Sequence, residues 1–396
     1  MTRMQPLGPA WVEVDLDALE ENMRRLRRSI PRPTLVMAVV KADGYGHGIR
    51  EAAKAFLAGG ADWLGVADLW EAEQLRRANI DSPLLVFAPA PKLEKFSLSL
   101  DVRSTVCDLE AARALASLAR RRGKKAKVHM KVDCGMGRLG VLPGQAGDFA
   151  GQLLRLEGLE LEGIYTHFPQ ADDASLTRRQ LAVFLEVVRS LKARGIEIPL
   201  VHAANSTALL RYPPSHLGMV RPGTVLYGQG APDLAPTWRL KTNVVYARVL
   251  PQGHRVGYGG EWKASRPTLA GIVPLGYADG LTLEPLRSPL RQLAGALQGF
   301  LGTRPAGWID GQQAFFLGRT SMNMAAISLP ESYEEQTVEL AARRTTISRR
   351  LPKVYFRNGR PCYAVQDGCR WSIIERDGVY YRLDRLADEN STRHRG

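Results

Sequence analysis

Cysteine is scarce in this chain, which has four thiols among 396 residues: Cys107, Cys134, Cys362 and Cys369. These are too few and too scattered for a disulfide framework, and no CxxC or HExxH spacing suggests a metal site. Long apolar runs are also missing, since no eighteen consecutive residues are apolar and the first thirty carry charges throughout. We therefore expect reduced thiols, no metal, no membrane span, no secretory signal and a cytoplasmic location.

Positive charge is in excess, with a formal net charge of +14 at pH 7. Such an excess is compatible with binding to nucleic acid or to a membrane. However, the basic residues lie in short clusters, such as 24–28 and 120–125, without aromatic residues between them. We interpret the clusters as solvated helix faces and expect no nucleic-acid partner and no membrane partner.

The chain is longer than a usual single domain, and its first part alternates short apolar runs with amphipathic segments. The apolar runs are residues 34–40, 63–66, 84–87, 102–106, 127–132, 161–166, 200–202 and 224–227. Helical patterns include 71–77, 109–121 and 178–192, and an initial helix over 16–28 begins after Asp15, a suitable N-cap. Eight alternations predict a (β/α)8 TIM barrel over residues 1–235.

From residue 236 onward strands and glycine turns dominate, and helical periodicity returns only at 338–344. Strand-like pieces at 362–365, 371–375 and 379–382 are separated by DG turns, and a basic tail from about residue 385 is expected to be disordered. The fold class is therefore α/β, a barrel followed by a mainly β C-terminal domain over residues 236–396.

Lys41 closes the first apolar run, MAVV, and is followed by the glycine-rich stretch 44–48 with Tyr45 and His47. In a parallel barrel the chemistry lies at the C-terminal ends of the strands. Burial there would depress the pKa of Lys41 toward that of a nucleophilic amine. A strand-end lysine can instead keep its head in water while its stem packs, but the neighbouring glycines let the backbone approach a ligand closely.

Other polar residues follow the later strands. The fifth run leads into Lys131-Val-Asp-Cys-Gly-Met-Gly-Arg138, and the sixth leads into His167. Around the last two strands, where barrels commonly bind phosphate, we expect Ser206, Gly223 and Thr224 to be donors, with a helix cap as the alternative for Asn205 and Ser206. The eighth run, 224–227, is entered through Arg221.

Together these motifs resemble the alanine racemases, barrel-type (fold type III) pyridoxal 5′-phosphate enzymes whose lysine lies in an AVVKADAYGHG-like motif. Gly44 stands where an alanine is common, and the resemblance runs from Trp11 to about Tyr355. It implies an isomerase that interconverts L-alanine and D-alanine for peptidoglycan synthesis. It also implies a small amino-acid substrate and a head-to-tail homodimer with shared active sites.

The resemblance also implies roles for individual residues. Lys41 and Tyr258 would be the two catalytic bases, serving the D side and the L side, and His167 backed by Arg221 would let Tyr258 act as a base. The implied cofactor-binding residues are Lys41, Tyr45, His167, Asn205, Ser206, Arg221, Gly223, Thr224 and Tyr355. The implied substrate-binding residues are Arg138, Tyr277 and Met322.

Two basic residues carry more specific implications. An arginine cannot readily give up its proton, so Arg221 facing the cofactor's ring nitrogen would leave that nitrogen unprotonated and favour racemisation over transamination. Lys131 matches a lysine that the family often carbamylates, with a surface ion pair to Asp133 as the alternative.

The match departs from the family pattern in four places. Asn323 replaces a usual aspartate, residues 281–285 lack the arginines of the entry corridor, and residues 328–346 lack an expected strand. The tail from Phe356 onward extends beyond the family's usual end and could supply replacement strands. Two alternatives therefore stay open: a racemase of broader or shifted amino-acid specificity, and a low-activity pyridoxal-phosphate-binding paralogue, against which the second domain argues.

Overall fold

The structure is a computed structural model that describes residues 5–283, 304–334, 337–376 and 379–385. The chain divides into two compact units. The barrel unit comprises residues 17–237, and the β unit comprises residues 1–16 together with 238–396. The division after residue 237 lies close to the expected boundary, but the first sixteen residues belong to the β unit rather than to the barrel.

Eight parallel strands, all within the continuously described range 5–283, close into a barrel. In order, the first to eighth strands are Leu35–Val39, Trp63–Val66, Leu84–Val86, Arg103–Val106, Ala126–Lys131, Leu159–Tyr165, Leu200–His202 and Met219–Val220. Met219–Val220 closes the ring by pairing in parallel with the first and seventh strands. The predicted TIM barrel is confirmed.

Helices alternate with these strands because their sequences carry an apolar stripe and a capping residue. Leu109–Arg121 buries Ala112, Leu115, Ala116 and Ala119, which lie on one face at helical spacing. Asp108 caps it by accepting the backbone N–H of Ala111. The other α-helices of the barrel region are Leu16–Ser29, Ile49–Ala58, Leu69–Arg77, Glu94–Ser99, Ala146–Leu154, Ala174–Ala193 and Ser206–Arg211, and Lys41–Tyr45 is a short helical segment with left-handed backbone.

The prediction of an eighth strand at residues 224–227 is wrong. Thr224–Tyr227 forms a 3₁₀ helix whose apolar side chains are buried, and the strand lies earlier, at Met219–Val220. A short apolar run does not distinguish a strand from a buried helical turn. Arg221 therefore lies at the C-terminal end of the eighth strand and not before it.

The β unit is built on one large sheet. Within the described residues its strands, in spatial order, are Gln5–Pro6, Val379–Arg385, Cys369–Arg376, Arg360–Gln366, Lys353–Arg357, Ala10–Asp15, Trp238–Thr242, Val338–Leu340, Pro305–Ile309 and Gln312–Phe315. Ala10–Asp15 lies inside this sheet, parallel to Lys353–Arg357 and antiparallel to Trp238–Thr242. Smaller sheets comprise Tyr246–Leu250, Thr268–Val273 and Ala325–Ser328, and Arg255–Val256 with Trp262–Lys263.

Two expectations about this unit have different outcomes. The strands predicted in the tail are confirmed, and they extend the sheet beyond Lys353–Arg357. The helical periodicity read at 338–344 is wrong, because Val338–Leu340 is a strand whose two apolar residues are buried on either side of Glu339. The tail expected to be disordered lies, beyond residue 385, outside the described residues.

Two further observations concern cysteines and membrane spans. All four cysteines are free thiols, as expected. Among the described residues, no helix combines the length and the apolar character that crossing a bilayer requires.

Candidate active site

The candidate site begins with Lys41, which follows the first barrel strand, Leu35–Val39. The chain leaves this strand through left-handed backbone, with φ of +57° at Ala42, +56° at Asp43 and +51° at Tyr45. L-residues seldom adopt this conformation, which costs about 1–2 kcal/mol per residue. The turn therefore needs support from its surroundings.

A buried carboxylate, that of Glu71, supplies this support. Its Oε1 accepts hydrogen bonds from the N–H of Ala42 at 2.6 Å and of Asp43 at 3.4 Å. Its Oε2 accepts the N–H of Ala67 at 2.8 Å. Glu71 does not stand out in the sequence, because an acidic residue in the first turn of a helix is ordinary.

Lys41 lies within electrostatic reach of other basic groups. Burial lowers its pKa, Arg138 lowers the pKa further, and Glu71 acts in the opposite direction. Lys131, at the end of the fifth strand, is 4% exposed, and burial together with Arg138 and Arg221 lowers its pKa to about 8. Lowered pKa values make amines more nucleophilic near neutral pH, and the neighbouring cations attract anions such as carboxylates.

The glycine-rich loop after the fifth strand is organised by Asp133. Its carboxylate accepts the N–H groups of Gly135 at 2.9 Å, Met136 at 2.7 Å and Gly137 at 2.9 Å. Burial would raise the pKa of Asp133, but these bonds outweigh burial and lower it. Because this carboxylate is engaged by the backbone and Lys131 is buried, a surface ion pair does not describe the loop.

His167 follows the sixth strand, near these cations. Burial, followed by the charges of Arg221 and Lys131, lowers its pKa to about 3. The imidazole is therefore neutral at physiological pH, and one of its nitrogens can accept a hydrogen bond.

Arg221 lies at the C-terminal end of the eighth strand and is 4% exposed. Its guanidinium donates to the carbonyl oxygens of Thr166 at 2.6 Å and Ala203 at 2.9 Å, and to Nδ1 of His202 at 2.8 Å. It also lies 5.2 Å above the centre of the Tyr165 ring. Burial lowers the pKa of Arg221 to about 10, so the group stays charged at neutral pH.

The residues expected to hold a phosphate meet in one place. The Oγ of Ser206 accepts the N–H of Gly223 at 2.8 Å, and Thr224 begins the short helix Thr224–Tyr227. A Cβ on residue 223 would lie only 2.5 Å from the hydroxyl oxygen of Tyr45. Glycine is therefore needed there for Tyr45 to keep its position.

Asn205 has the helix-cap arrangement that the sequence left open. Its Oδ1 accepts the N–H of Ala208 at 3.0 Å, which caps Ser206–Arg211. Its Nδ2 donates to the carbonyl oxygen of Phe168 at 3.0 Å. Asn205 therefore fixes the start of the helix that carries Ser206.

Four of the expected site residues belong to the β unit. Three of them, Tyr258, Tyr277 and Met322, are exposed, with exposed fractions of 74%, 47% and 56%. Segment 318–322 links them. A Cβ on Gly257 would lie 3.2 Å from the carbonyl oxygen of Arg319, and the N–H of Tyr277 donates to the carbonyl oxygen of Ser321 at 3.1 Å. The three side chains thus share one region of the β unit and face solvent.

The remaining expected residues are Tyr355, Asn323 and the corridor segment 281–285. Tyr355 is buried in the β unit, with its ring 4.9 Å from that of Tyr363, and its part in binding the cofactor stays a prediction. Asn323 is exposed next to Met322. Of the corridor segment 281–285, residues 284 and 285 lie outside the described residues.

Two buried polar side chains inside the barrel, His129 and Glu162, were not among the residues predicted from the sequence. One signal could have found His129. In the fifth strand Lys127, His129 and Lys131 alternate with apolar residues, and this spacing puts all three on one face of the strand. Polar residues repeated in this way within a closed barrel indicate a polar interior.

Sequence comparisons cover most of the chain. The model of "Alanine racemase, N-terminal domain" matches residues 14–231, and that of "Alanine racemase, C-terminal domain" matches residues 237–351. The alanine racemase of Methanococcus maripaludis is 40% identical over 286 residues, which cover 69% of this chain and 77% of that protein. Alanine racemase 1 of Caldanaerobacter subterraneus subsp. tengcongensis is 33% identical over 374 residues, covering 89% and 96%.

Solved structures give the same result. The alanine racemase of Bacillus anthracis with bound L-Ala-P has a TM-score of 0.79 and 32% identity, covering 90% of this chain and 97% of that one. The alanine racemase of Clostridium difficile 630 has a TM-score of 0.80 and 28% identity, covering 91% and 98%.

Proposed function

Because the chain belongs to the alanine racemase family, we propose that it is an isomerase that interconverts L-alanine and D-alanine. The observation that carries the proposal is the cluster at the strand ends of the barrel, where Lys41 has a lowered pKa and interacts electrostatically with Arg138. Arg221 and Lys131 belong to the same electrostatic group. An amine that can exchange a proton, set among cations that attract a carboxylate, suits proton removal beside that carboxylate.

The cofactor in this proposal is pyridoxal 5′-phosphate, and the residues of the barrel fit it. Lys41 offers an amine for the aldehyde, Ser206 and Thr224 offer hydroxyls for the phosphate, and glycine at 223 leaves the space that Tyr45 occupies. The residues proposed to surround the cofactor are Lys41, Tyr45, His167, Asn205, Ser206, Arg221, Gly223, Thr224 and Tyr355. When bound, the cofactor supplies an electron-poor ring that delocalises the charge left on the α-carbon.

Arg221 favours racemisation in this scheme. A guanidinium has donors and no acceptor, so Arg221 would hold the ring nitrogen of the cofactor by an N–H and would leave that nitrogen unprotonated. In this way Arg221 would favour return of a proton to the α-carbon over transamination. Arg138 is proposed to hold the substrate carboxylate.

Inversion needs proton exchange on both faces of the α-carbon. We assign Lys41 to the D face and Tyr258 of the partner subunit to the L face, with Tyr277 and Met322 at the substrate entrance. The exposure of these three side chains supports the assignment, since aromatic and methionine side chains exposed together are typical of interfaces. A head-to-tail homodimer would contain two such sites.

The product would feed peptidoglycan synthesis, and the free thiols of all four cysteines support a reducing, cytoplasmic location. A second candidate is a racemase of broader or shifted specificity. Asn323 favours it, because an uncharged residue follows Met322 where the family usually has an aspartate.

Racemisation rates measured by circular dichroism on a panel of L- and D-amino acids, with pyridoxal 5′-phosphate present, test the proposal. We expect alanine to have the highest kcat/KM and Tyr258→Phe to lower kcat about 100-fold or more. Tyr246→Phe, which alters another exposed tyrosine of the β unit, is the control and should act like the parent protein. Another amino acid ranking first would favour the second candidate, and no racemisation at all would refute both.

A further inference from the structure

Four side chains form a hydrogen-bonded row, here called the interior relay, inside the barrel unit: Arg221, His202, His129 and Glu162. Arg221 bonds Nδ1 of His202 at 2.8 Å, and Nε2 of His202 lies 2.9 Å from Nδ1 of His129. Nε2 of His129 lies 3.3 Å from Oε2 of Glu162. Both imidazoles are completely buried, and Glu162 is 8% exposed. The relay therefore joins a candidate cofactor residue to a carboxylate that the proposed chemistry does not use.

The two ends of the relay fix the protons on both histidines. A guanidinium only donates, so Nδ1 of His202 must accept, and its proton must be on Nε2. Nδ1 of His129 then accepts that proton's hydrogen bond, and its own Nε2–H donates to Glu162. A proton added to either ring would set two donors against each other. Burial also lowers the pKa of both histidines, which agrees with two neutral rings.

The backbone is shaped to allow this row. In the sixth strand, Leu161 pairs with Val128 and Gly163 pairs with His129, so Glu162 is the extra residue of a β-bulge. Bulges redirect a side chain and are frequent beside active sites. A Cβ on residue 163 would lie 2.5 Å from Nδ1 of His129, so a glycine is required beside the ring.

Two cations besides the relay hold the charge of Glu162, one of them on the same oxygen that His129 contacts. Arg103 donates to Oε2 of Glu162 at 3.0 Å, and Lys127 donates to Oε1 at 3.1 Å. Burial alone would raise the pKa of Glu162, but the hydrogen bonds from His129 and Arg103 outweigh it and lower the pKa to about 2. Glu162 is therefore an anion at every physiological pH.

We infer that His129, His202 and Glu162 are positioning residues that keep the Arg221 guanidinium charged and oriented toward the cofactor. The inference rests on the proposed function for the role of Arg221. Through the hydrogen bonds of the two neutral rings, the anion Glu162 stabilises the cation Arg221, and no proton is transferred. Without the charge of Glu162 the guanidinium of Arg221 would hold its proton less tightly. It could then share that proton with the ring nitrogen of the bound cofactor, and transamination would become more frequent.

The first test uses the full chain without cofactor, labelled with 15N-histidine. Nitrogen chemical shifts in NMR distinguish the two neutral tautomers and the imidazolium, and the signals are assigned by their loss in His129→Gln and His202→Gln. We expect both rings to be neutral with the proton on Nε2 from pH 5.5 to pH 8. A proton on Nδ1, or an imidazolium, at either residue would overturn the inference whether or not the protein is a racemase.

The second test uses the cofactor-loaded protein and Glu162→Gln, which keeps an acceptor oxygen but removes the charge. We expect the yield of pyridoxamine phosphate per racemisation event to rise about tenfold, with KM changed less than twofold. Glu157→Gln is the control, because Glu157 forms an exposed ion pair with Arg120 at 3.4 Å. An unchanged yield would reduce the relay to a structural role and refute the inference. A parent protein that racemises nothing would instead refute the proposed function.

Discussion

Replacing Glu71 with glutamine should destabilise the protein through the turn that follows Lys41. The carboxylate accepts N–H groups with both oxygens, from Ala42 at 2.6 Å and from Ala67 at 2.8 Å. Glutamine has one oxygen, so its NH₂ group must face one of the two N–H donors. An unpaired buried N–H costs about 1–3 kcal/mol, and the remaining bond loses about 1 kcal/mol of charge assistance.

Part of this loss is recovered, because burial raises the pKa of Glu71 and a neutral glutamine avoids the cost of burying a charge. We expect Glu71→Gln to lower the free energy of unfolding by about 2–3 kcal/mol in urea titrations followed by circular dichroism. Glu73→Gln on the same helix removes a surface ion pair with Arg77, and it should cost about 0.5 kcal/mol or less. Equal effects of the two substitutions would show that Glu71 does not hold the turn.

Three further predictions concern the cofactor cradle, acid stability and Lys131. Gly223→Ala should weaken pyridoxal phosphate binding about tenfold or more in fluorescence titrations, because its Cβ displaces Tyr45. Gly218→Ala is the control and should bind like the parent protein, because its Cβ would have only ordinary contacts. Equal affinities of the two variants would refute the steric argument. The free energy of unfolding should fall as pH drops below 6.5, because the lowered histidine pKa values of the folded state favour proton uptake on unfolding. It should fall by roughly 3 kcal/mol more between pH 4.5 and about 2, as Glu162 is protonated. Glu162→Gln should reduce the loss between pH 4.5 and about 2 by roughly this amount in acid-unfolding curves, and an unchanged loss would contradict the assignment. Lys131, which has a pKa of about 8 and lies among cations, should form a carbamate. NMR with 13C-bicarbonate should show a carbamate signal that is lost in Lys131→Arg, and the absence of this signal would refute carbamylation.

Sequence reasoning located most of the barrel, because its strands are short apolar runs between amphipathic helices. It missed the eighth strand, since Met219–Val220 is only two residues long, and it misassigned the buried run at 224–227. It also placed the first sixteen residues with the barrel, although Ala10–Asp15 finds its partners more than two hundred residues later in the chain. Pairing over such distances leaves no local signal.

In the candidate site, too, contacts between residues distant in the sequence could not be predicted. Lys41 and His167 could be proposed from the sequence because they follow predicted strands, and Arg221 could be proposed because it lies in a family-like motif. Glu71 and Glu162 could not, because each acts through a tertiary contact. Glu71 bonds a backbone turn about thirty residues earlier in the chain, and Glu162 reaches His129 through a bulge that appears only when the two strands pair.

Subunit complementation tests the central claim most directly. Lys41→Ala and Tyr258→Phe should each lose alanine racemase activity, but in the proposed dimer a mixed pair would have one site with an intact Lys41 and an intact Tyr258 from the other chain. After subunit exchange at equal concentrations, half the dimers are mixed and half of their sites are intact, so about a quarter of the parent activity should return. If the mixture stays as inactive as its two components, the lysine and the tyrosine do not meet across subunits, and the proposed shared site is wrong.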